Sequence, residues 1–222
     1  MALELIIYDL DGTLLDAFGD IALCINEGLA ACELPPYDVE TVKTFVGHGV
    51  DVAIKKALAP HGLNHFDRVK GVMAECYESP EFQKGMCYPG VLHTLEAMRA
   101  RGFKQVIITN KPQRIADQSC VRIGVTERVD LVVGAREGIE LKPDAAMLEI
   151  VEREIGITRG SCVIVGDGDA DGGLALASGI PFIACTWGTL SAEALAEFNP
   201  ASTINSVEEL QSALINLSEK MK

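Results

Sequence analysis

The chain has 222 residues, 48% hydrophobic and 23% charged, a balance that excludes disordered and fibrous classes and suits one generous domain or a main domain with a smaller insert. Its net charge of −13, with no cluster of Lys or Arg, argues against nucleic acid or an anionic membrane surface as partner. No run of eighteen apolar residues and no basic, cleavable leader occurs, so a cytoplasmic location is expected, and the seven scattered cysteines are read as reduced, mostly buried thiols.

In chain order, Leu5-Ile6-Ile7-Tyr8 is a short apolar run ending in polar and glycine residues, the pattern of a strand buried on both faces of a parallel sheet. From about Phe18 to Gln83 the pattern turns helical, near 18–32, 39–46, 50–59 and 65–78, with breaks at Pro35-Pro36, Gly47-His48-Gly49 and Pro60-His61-Gly62. This stretch reads as an inserted helical unit. A helix is predicted over 91–101, with Leu92, Leu95, Ala97 and Met98 on one face and Gly102 as its C-cap. Apolar runs return at Val106–Thr109, Leu131–Val133, Cys162–Val165 and Phe182–Ala184, spaced for helical or tight crossovers. Pro143 opens a predicted helix over 144–154, followed by Gly156. Ser206 and Glu209 predict a capping box for a last helix packed on the sheet's edge. Strands alternating with crossovers predict an α/β fold with a parallel sheet.

Ligands of open parallel sheets lie beyond the carboxyl ends of the strands. Those ends carry Asp9-Leu10-Asp11-Gly12-Thr13, Thr109-Asn110-Lys111-Pro112, Lys142-Pro143 after a short gap, and Gly166-Asp167-Gly168-Asp169-Ala170-Asp171. Carboxylates converging on one edge repel one another unless a cation sits among them, and hard oxygen ligands favour magnesium. Lys142, the Thr109 hydroxyl and loop amides could neutralise a phosphoryl group there, which describes phosphoryl transfer. Asp169 is read as a solvated loop carboxylate. His61, His65 and His93 have no metal-ligand spacing.

The order of these four motifs resembles that of the haloacid dehalogenase superfamily over essentially the whole chain. The resemblance implies a Rossmann-like core at 1–16 and 84–222, with a small helical cap at 17–83 inserted after the first motif. It also implies that Asp9 attacks phosphorus to form an aspartyl-phosphate while Asp11 protonates the leaving alkoxide and later activates water. Magnesium would be held by the Asp9 carboxylate, the Asp11 carbonyl and Asp167, with Asp171 orienting its waters. Thr109 and the Asn110 backbone would hold phosphate oxygens, Lys142 would pair with Asp9 and phosphate, and Gly12 would let the loop approach the phosphate closely. Lys111 either reaches the site or faces solvent; Gly47 and His48 form either an interhelical turn or a substrate-facing cap loop. All three are placed with the binding residues. Because superfamily dehalogenases lack the second aspartate, Asp11 disfavours dehalogenation.

Thr109-Asn110-Lys111-Pro112, Tyr88-Pro89-Gly90-Val91 and Phe45-Val46-Gly47-His48-Gly49 resemble the phosphoglycolate phosphatase group, which implies a small phosphorylated metabolite such as 2-phosphoglycolate as substrate and a monomer or homodimer. Lys142-Pro143-Asp144-Ala145 departs from the frequent Lys-Pro-x-Pro, and no arginine stands near Ala177. Both departures bear on substrate identity rather than on the chemistry. The alternatives are a phosphosugar mutase of the β-phosphoglucomutase type and a catalytically silent binding protein on the same fold.

Overall fold

The computed structural model describes residues 2–222. The chain begins with β1 (Leu5–Tyr8) and the two-residue β2 (Leu15–Asp16), then runs through helices α1 (Phe18–Ala30), α2 (Val39–Lys43), α3 (Val50–Leu58) and α4 (Phe66–Glu78). It returns through β3 (Met86–Cys87) and then alternates: α5 (Val91–Ala100), β4 (Lys104–Pro112), α6 (Gln113–Arg122), β5 (Leu131–Ala135), α7 (Ala146–Ile155), β6 (Cys162–Gly166) and α8 (Asp169–Ser178). The last elements are β7 (Phe182–Cys185), α9 (Ala192–Leu195), β8 (Ser202–Ile204) and α10 (Val207–Lys220). Six strands form a parallel sheet in the order β5-β4-β1-β6-β7-β8. The order reverses direction at β1, so the carboxyl end of β1 opens onto the crevice between two crossovers, the place where such sheets bind ligands.

Every residue of β1 is buried, and alternation divides them between the two faces. Ile6 and Tyr8 join Ile107, Val163, Val165 and Ile183 in one core shared with α5, α6 and α10. Leu5 and Ile7 join Val106, Ile108 and Ile164 in a second core, closed by Met147, Leu148 and Val151 of α7 and Leu174 of α8. Burial of each such side chain contributes ~1.5–3 kcal/mol. Tyr8 is a polar-tipped member of this row; its hydroxyl donates to Gln105 Oε1 at 3.0 Å, so its burial leaves no polar group stranded.

The helical insert leaves and re-enters through the antiparallel pair β2 and β3, registered Leu15 to Cys87 and Asp16 to Met86. Asp20 closes this neck by accepting the Lys84 and Gly85 N–H groups. Within the insert α1 packs on α4, and Gly28 permits the contact: a Cβ there would meet Val69 Cγ1 at 2.8 Å. The four helices of the insert match the predicted ones to within a few residues.

Several expectations need correction. Cys24 of α1 and Cys76 of α4 form a disulfide rather than remaining thiols; their pairing depends on the docking of two helices 52 residues apart and leaves no local signature. The predicted helix after Pro143 begins two residues later than expected, at Ala146 with Ala145 as its N-cap, and the Ala146 N–H is taken by Asp144 Oδ1 at 2.8 Å. The capping box at Ser206 is not formed, because the Glu209 carboxylate accepts from Asn205 N–H and Ser206 makes no cap bond. The strands β2, β3 and β8 were not anticipated; each is two or three residues long with no apolar run to announce it. Gly102 and Gly156 do follow their helices at positive φ, as their positions predicted. No helix is long and apolar enough to cross a membrane among the described residues.

Candidate active site

The carboxyl ends of β1, β4 and β6 meet in one crevice, and the insert stands over it. Asp9 follows β1 directly, its N–H anchored on Val165 O at 2.9 Å. The chain then turns tightly, with the Leu14 and Leu15 N–H groups returning to Leu10 O. Gly12 makes the turn possible at φ +90°, and its lack of a side chain admits Asp167, whose Oδ2 lies 2.4 Å from where a Cβ would be. The close approach visible at Gly12 is thus to a carboxylate of the same site.

Three carboxylates converge: oxygens of Asp9, Asp167 and Asp171 all lie within 4.8 Å of one another. Lys142 provides the positive charge among them. Its Nζ donates to Asp9 Oδ1 at 2.7 Å, to Asp171 Oδ1 at 2.6 Å and to Ile108 O at 2.8 Å, while the other Asp9 oxygen has no donor among the described residues. Burial disfavours the charged lysine, but the charges of Asp171 and Asp9 outweigh it and hold the ammonium well above its ordinary range. Burial, then Asp9 and Asp171, push the Asp167 carboxyl up to about 7; burial pushes Asp171 up to about 6 against the pull of Lys142, with Asp9 adding to the rise. Three acids around one lysine leave excess negative charge in a desolvated place. An all-oxygen donor set with that excess fits a hard divalent cation.

Asp167 is held from behind by residues the sequence reading did not single out. Thr13 Oγ1 donates to Oδ1 at 2.7 Å, and the Thr189 N–H and hydroxyl donate to Oδ2 at 2.7 and 2.9 Å. Gly188 leaves room for them, since a Cβ there would lie 2.1 Å from Asp167 Oδ2. Asp171 reaches back from the first turn of α8 to accept the Gly168 N–H at 3.1 Å, a carboxylate at the positive end of a helix. Thr13 stood inside a recognised motif and could have been found; Gly188 and Thr189 lie beyond β7 with no motif to mark them.

The second strand end brings Thr109, Asn110 and Lys111 to the same crevice, all buried. Thr109 Oγ1 accepts the Lys111 N–H at 3.3 Å. Asn110 uses its side chain as a tie: Nδ2 donates to Gly47 O of the insert at 2.8 Å and to Lys142 O at 3.0 Å, and Oδ1 accepts the Lys142 N–H. Lys111 faces the site rather than solvent, with Nζ 2.9 Å from both oxygens of Asp11. Burial raises the Asp11 carboxyl above its usual range, opposed chiefly by Lys111. His48 reaches across to Asp169 Oδ2 at 2.9 Å, so Asp169 is exposed as expected but paired. Asp9, Asp11, Gly47, Thr109, Asn110 and Lys111 line a pocket whose upper wall is apolar, built from Ile21, Val46, Val50, Ala53, Met73 and Tyr77 of the insert and its flanks.

The sequence model of the haloacid dehalogenase-like hydrolases matches residues 6–185, which include all the strand ends just described. The chain belongs to that family. It is 31% identical to a phosphoglycolate phosphatase of Pseudomonas savastanoi pv. phaseolicola, covering 93% of this chain and 78% of that one. Against a phosphoglycolate phosphatase of Colwellia psychrerythraea the identity is 28%, with 93% and 95% covered. A crystal structure described as a predicted phosphoglycolate phosphatase from Haemophilus somnus 129pt superposes with a TM-score of 0.88 at 26% identity, covering 96% of this chain and 98% of that one. This hydrolase is a phosphatase, and the six-stranded parallel sheet with its helical insert is the family's α/β architecture.

Proposed function

We propose that this phosphatase hydrolyses a small phosphorylated metabolite, 2-phosphoglycolate or a close analogue, in a magnesium-dependent reaction through a phosphorylated Asp9. The observation that carries the reading is the state of Asp9, which lines the pocket: one oxygen is clamped by Lys142 at 2.7 Å and the other has no donor among the described residues. A carboxylate held in this way is oriented, with one oxygen left open to attack, as a nucleophile must be. The free oxygen attacks phosphorus and the P–O bond to the leaving group breaks. Asp11 gives its proton to the departing alkoxide. Water then attacks the acyl phosphate, Asp11 takes its proton, and inorganic phosphate leaves with Asp9 regenerated.

In this scheme Thr109, the Asn110 backbone and Lys142 meet the phosphate oxygens, where fixed donors stabilise developing charge. Magnesium would be held by Asp9, Asp167 and the Asp11 carbonyl, with Asp171 beside them, and would supply neutralisation of the phosphoryl charge. Residues 17–83 act as a cap domain over a core of 1–16 and 84–222, and Gly47 and His48 belong to the loop that closes over the substrate. The substrate reading follows the names of the relatives.

Purified protein assayed with and without magnesium against phosphorylated metabolites, 2-phosphoglycolate and p-nitrophenyl phosphate included, tests this. Magnesium-dependent phosphate release is expected, with Asp9→Asn folded and inactive. Near-normal turnover of Asp9→Asn would overturn the mechanism, and preference for large phosphorylated substrates would overturn the substrate reading.

A further inference from the structure

Lys111 makes an arrangement that the hydrolytic scheme leaves unused. Its ammonium contacts both Asp11 oxygens at 2.9 Å and is buried at the pocket wall. Tyr77, in the last turn of α4, lays its ring over the same ammonium, with Nζ 5.3 Å from the ring centroid. Aromatic faces attract cations, and more strongly where water is excluded. One chain of contacts therefore runs from the insert through Tyr77 and Lys111 to Asp11. Lys142, not Lys111, is the lysine that touches Asp9.

An aspartate with free torsions can turn its carboxyl away from a leaving group, and proton transfer requires an approach of about 2.6–3.2 Å. A donor that engages both oxygens of the carboxylate, and the carbonyl oxygen once the other is protonated, limits that rotation. We propose that Lys111 is the positioning residue for Asp11, and that Tyr77 keeps Lys111 in place, so that the seating of the insert aims the proton-transferring carboxyl. The inference rests on Asp11 being the proton donor and acceptor of the proposed reaction. It departs from the expectation that Lys111 binds substrate.

Two aryl phosphates of nearly the same shape separate these roles. Departure of p-nitrophenolate needs little protonation, whereas phenolate needs more, and kcat/KM reports the step in which the leaving group departs. In the holoenzyme with magnesium, Lys111→Met is expected to lower kcat for both substrates, through the water-activating step, and to lower kcat/KM for phenyl phosphate at least tenfold more than for p-nitrophenyl phosphate. A misplaced catalytic group loses about 100-fold, which sets the scale for kcat. Tyr77→Leu is expected to show the same selectivity at smaller amplitude, and Tyr77→Phe, which keeps the ring, to lose less than Tyr77→Leu. Adding Lys111→Met to Asp11→Asn should cause no further selective loss.

Should Lys111→Met fail to fold, the Tyr77→Leu selectivity decides. A raised KM with kcat retained would make Lys111 a substrate contact and overturn the proposal, as would equal losses on both aryl phosphates. Equal losses in Asp11→Asn itself would instead overturn the reading of Asp11. A selective Asp11→Asn beside an unselective Lys111→Met would overturn this inference alone.

Discussion

Replacing Lys142 by methionine removes the cation from among Asp9, Asp167 and Asp171. Lys142 is 4% exposed and donates to Asp9, Asp171 and the Ile108 carbonyl. Methionine fills a similar volume but donates nothing, so Asp9 Oδ1, Asp171 Oδ1 and the Ile108 carbonyl lose the ammonium they share, and Asp171 keeps only the Gly168 N–H on its other oxygen. Breaking a buried ion pair from one side costs about 3–5 kcal/mol. In a chain of this size each kcal/mol lowers Tm by about 2–4 °C, so a fall of roughly 6–20 °C is expected in EDTA. Magnesium should reduce the fall by restoring positive charge. Turnover, measured on protein shown to be folded, should drop by about 10²–10³-fold, the usual loss of one fixed donor at a reacting oxygen. Lys142→Arg should recover little, because a planar fork cannot reproduce three donors diverging from one nitrogen. A Tm within about 2 °C of wild type in EDTA, a shift under 1 kcal/mol for a chain of this size, would refute the electrostatic reasoning, and turnover within threefold would refute the role at Asp9.

The raised carboxyls of Asp167 and Asp171 set a pH dependence. Because the folded state binds more protons than the unfolded state between about pH 4 and 7, these groups make the metal-free protein less stable as pH rises through that window. Tm in EDTA should therefore climb from pH 8 to pH 5 more steeply in wild type than in Asp167→Asn; parallel profiles would contradict the assignment. At pH 8, magnesium at 100 times its Kd should raise stability by about 2.7 kcal/mol, with calorimetry as the check. Gly188→Ala places a Cβ 2.1 Å from Asp167 Oδ2 and should weaken magnesium activation at least tenfold by titration while helix content by circular dichroism is kept. The Cys24–Cys76 bond closes a loop of 52 residues, so Cys76→Ser, or wild type in a dithiol reductant, should lose about 4 kcal/mol in urea unfolding. An unchanged midpoint in reductant would show that the bond contributes nothing.

Much of this protein was legible in one dimension because its central strands are buried on both faces. Such strands must be short continuous apolar runs, so β1, β4, β6 and β7 announced themselves, and β5, at the sheet's edge and half-buried, still carries the apolar run Leu131–Val133. The rule that ligands gather at their carboxyl ends then grouped Asp9, Asp11, Thr109, Lys142 and Asp167 before any distance was known. Helices of the insert were legible for a parallel reason, since each buries one stripe of a 3.6-residue period.

What stayed hidden depends on neighbours far apart in the chain. The edge strand β8 and the neck strands β2 and β3 owe their form to partners rather than to their own residues. The Cys24–Cys76 bond, the Gly188 and Thr189 support behind Asp167, and the tie from Asn110 to Gly47 exist only once separate segments are docked. Lys111 shows the division within one residue. Its motif brought it to the site's edge, but whether it reached the site or faced solvent was decided by its contacts with Asp11 and with Tyr77 of α4. Local periodicity and charge determine where catalytic groups can stand; which of them touch is a matter of long-range packing, to which no single segment holds the information.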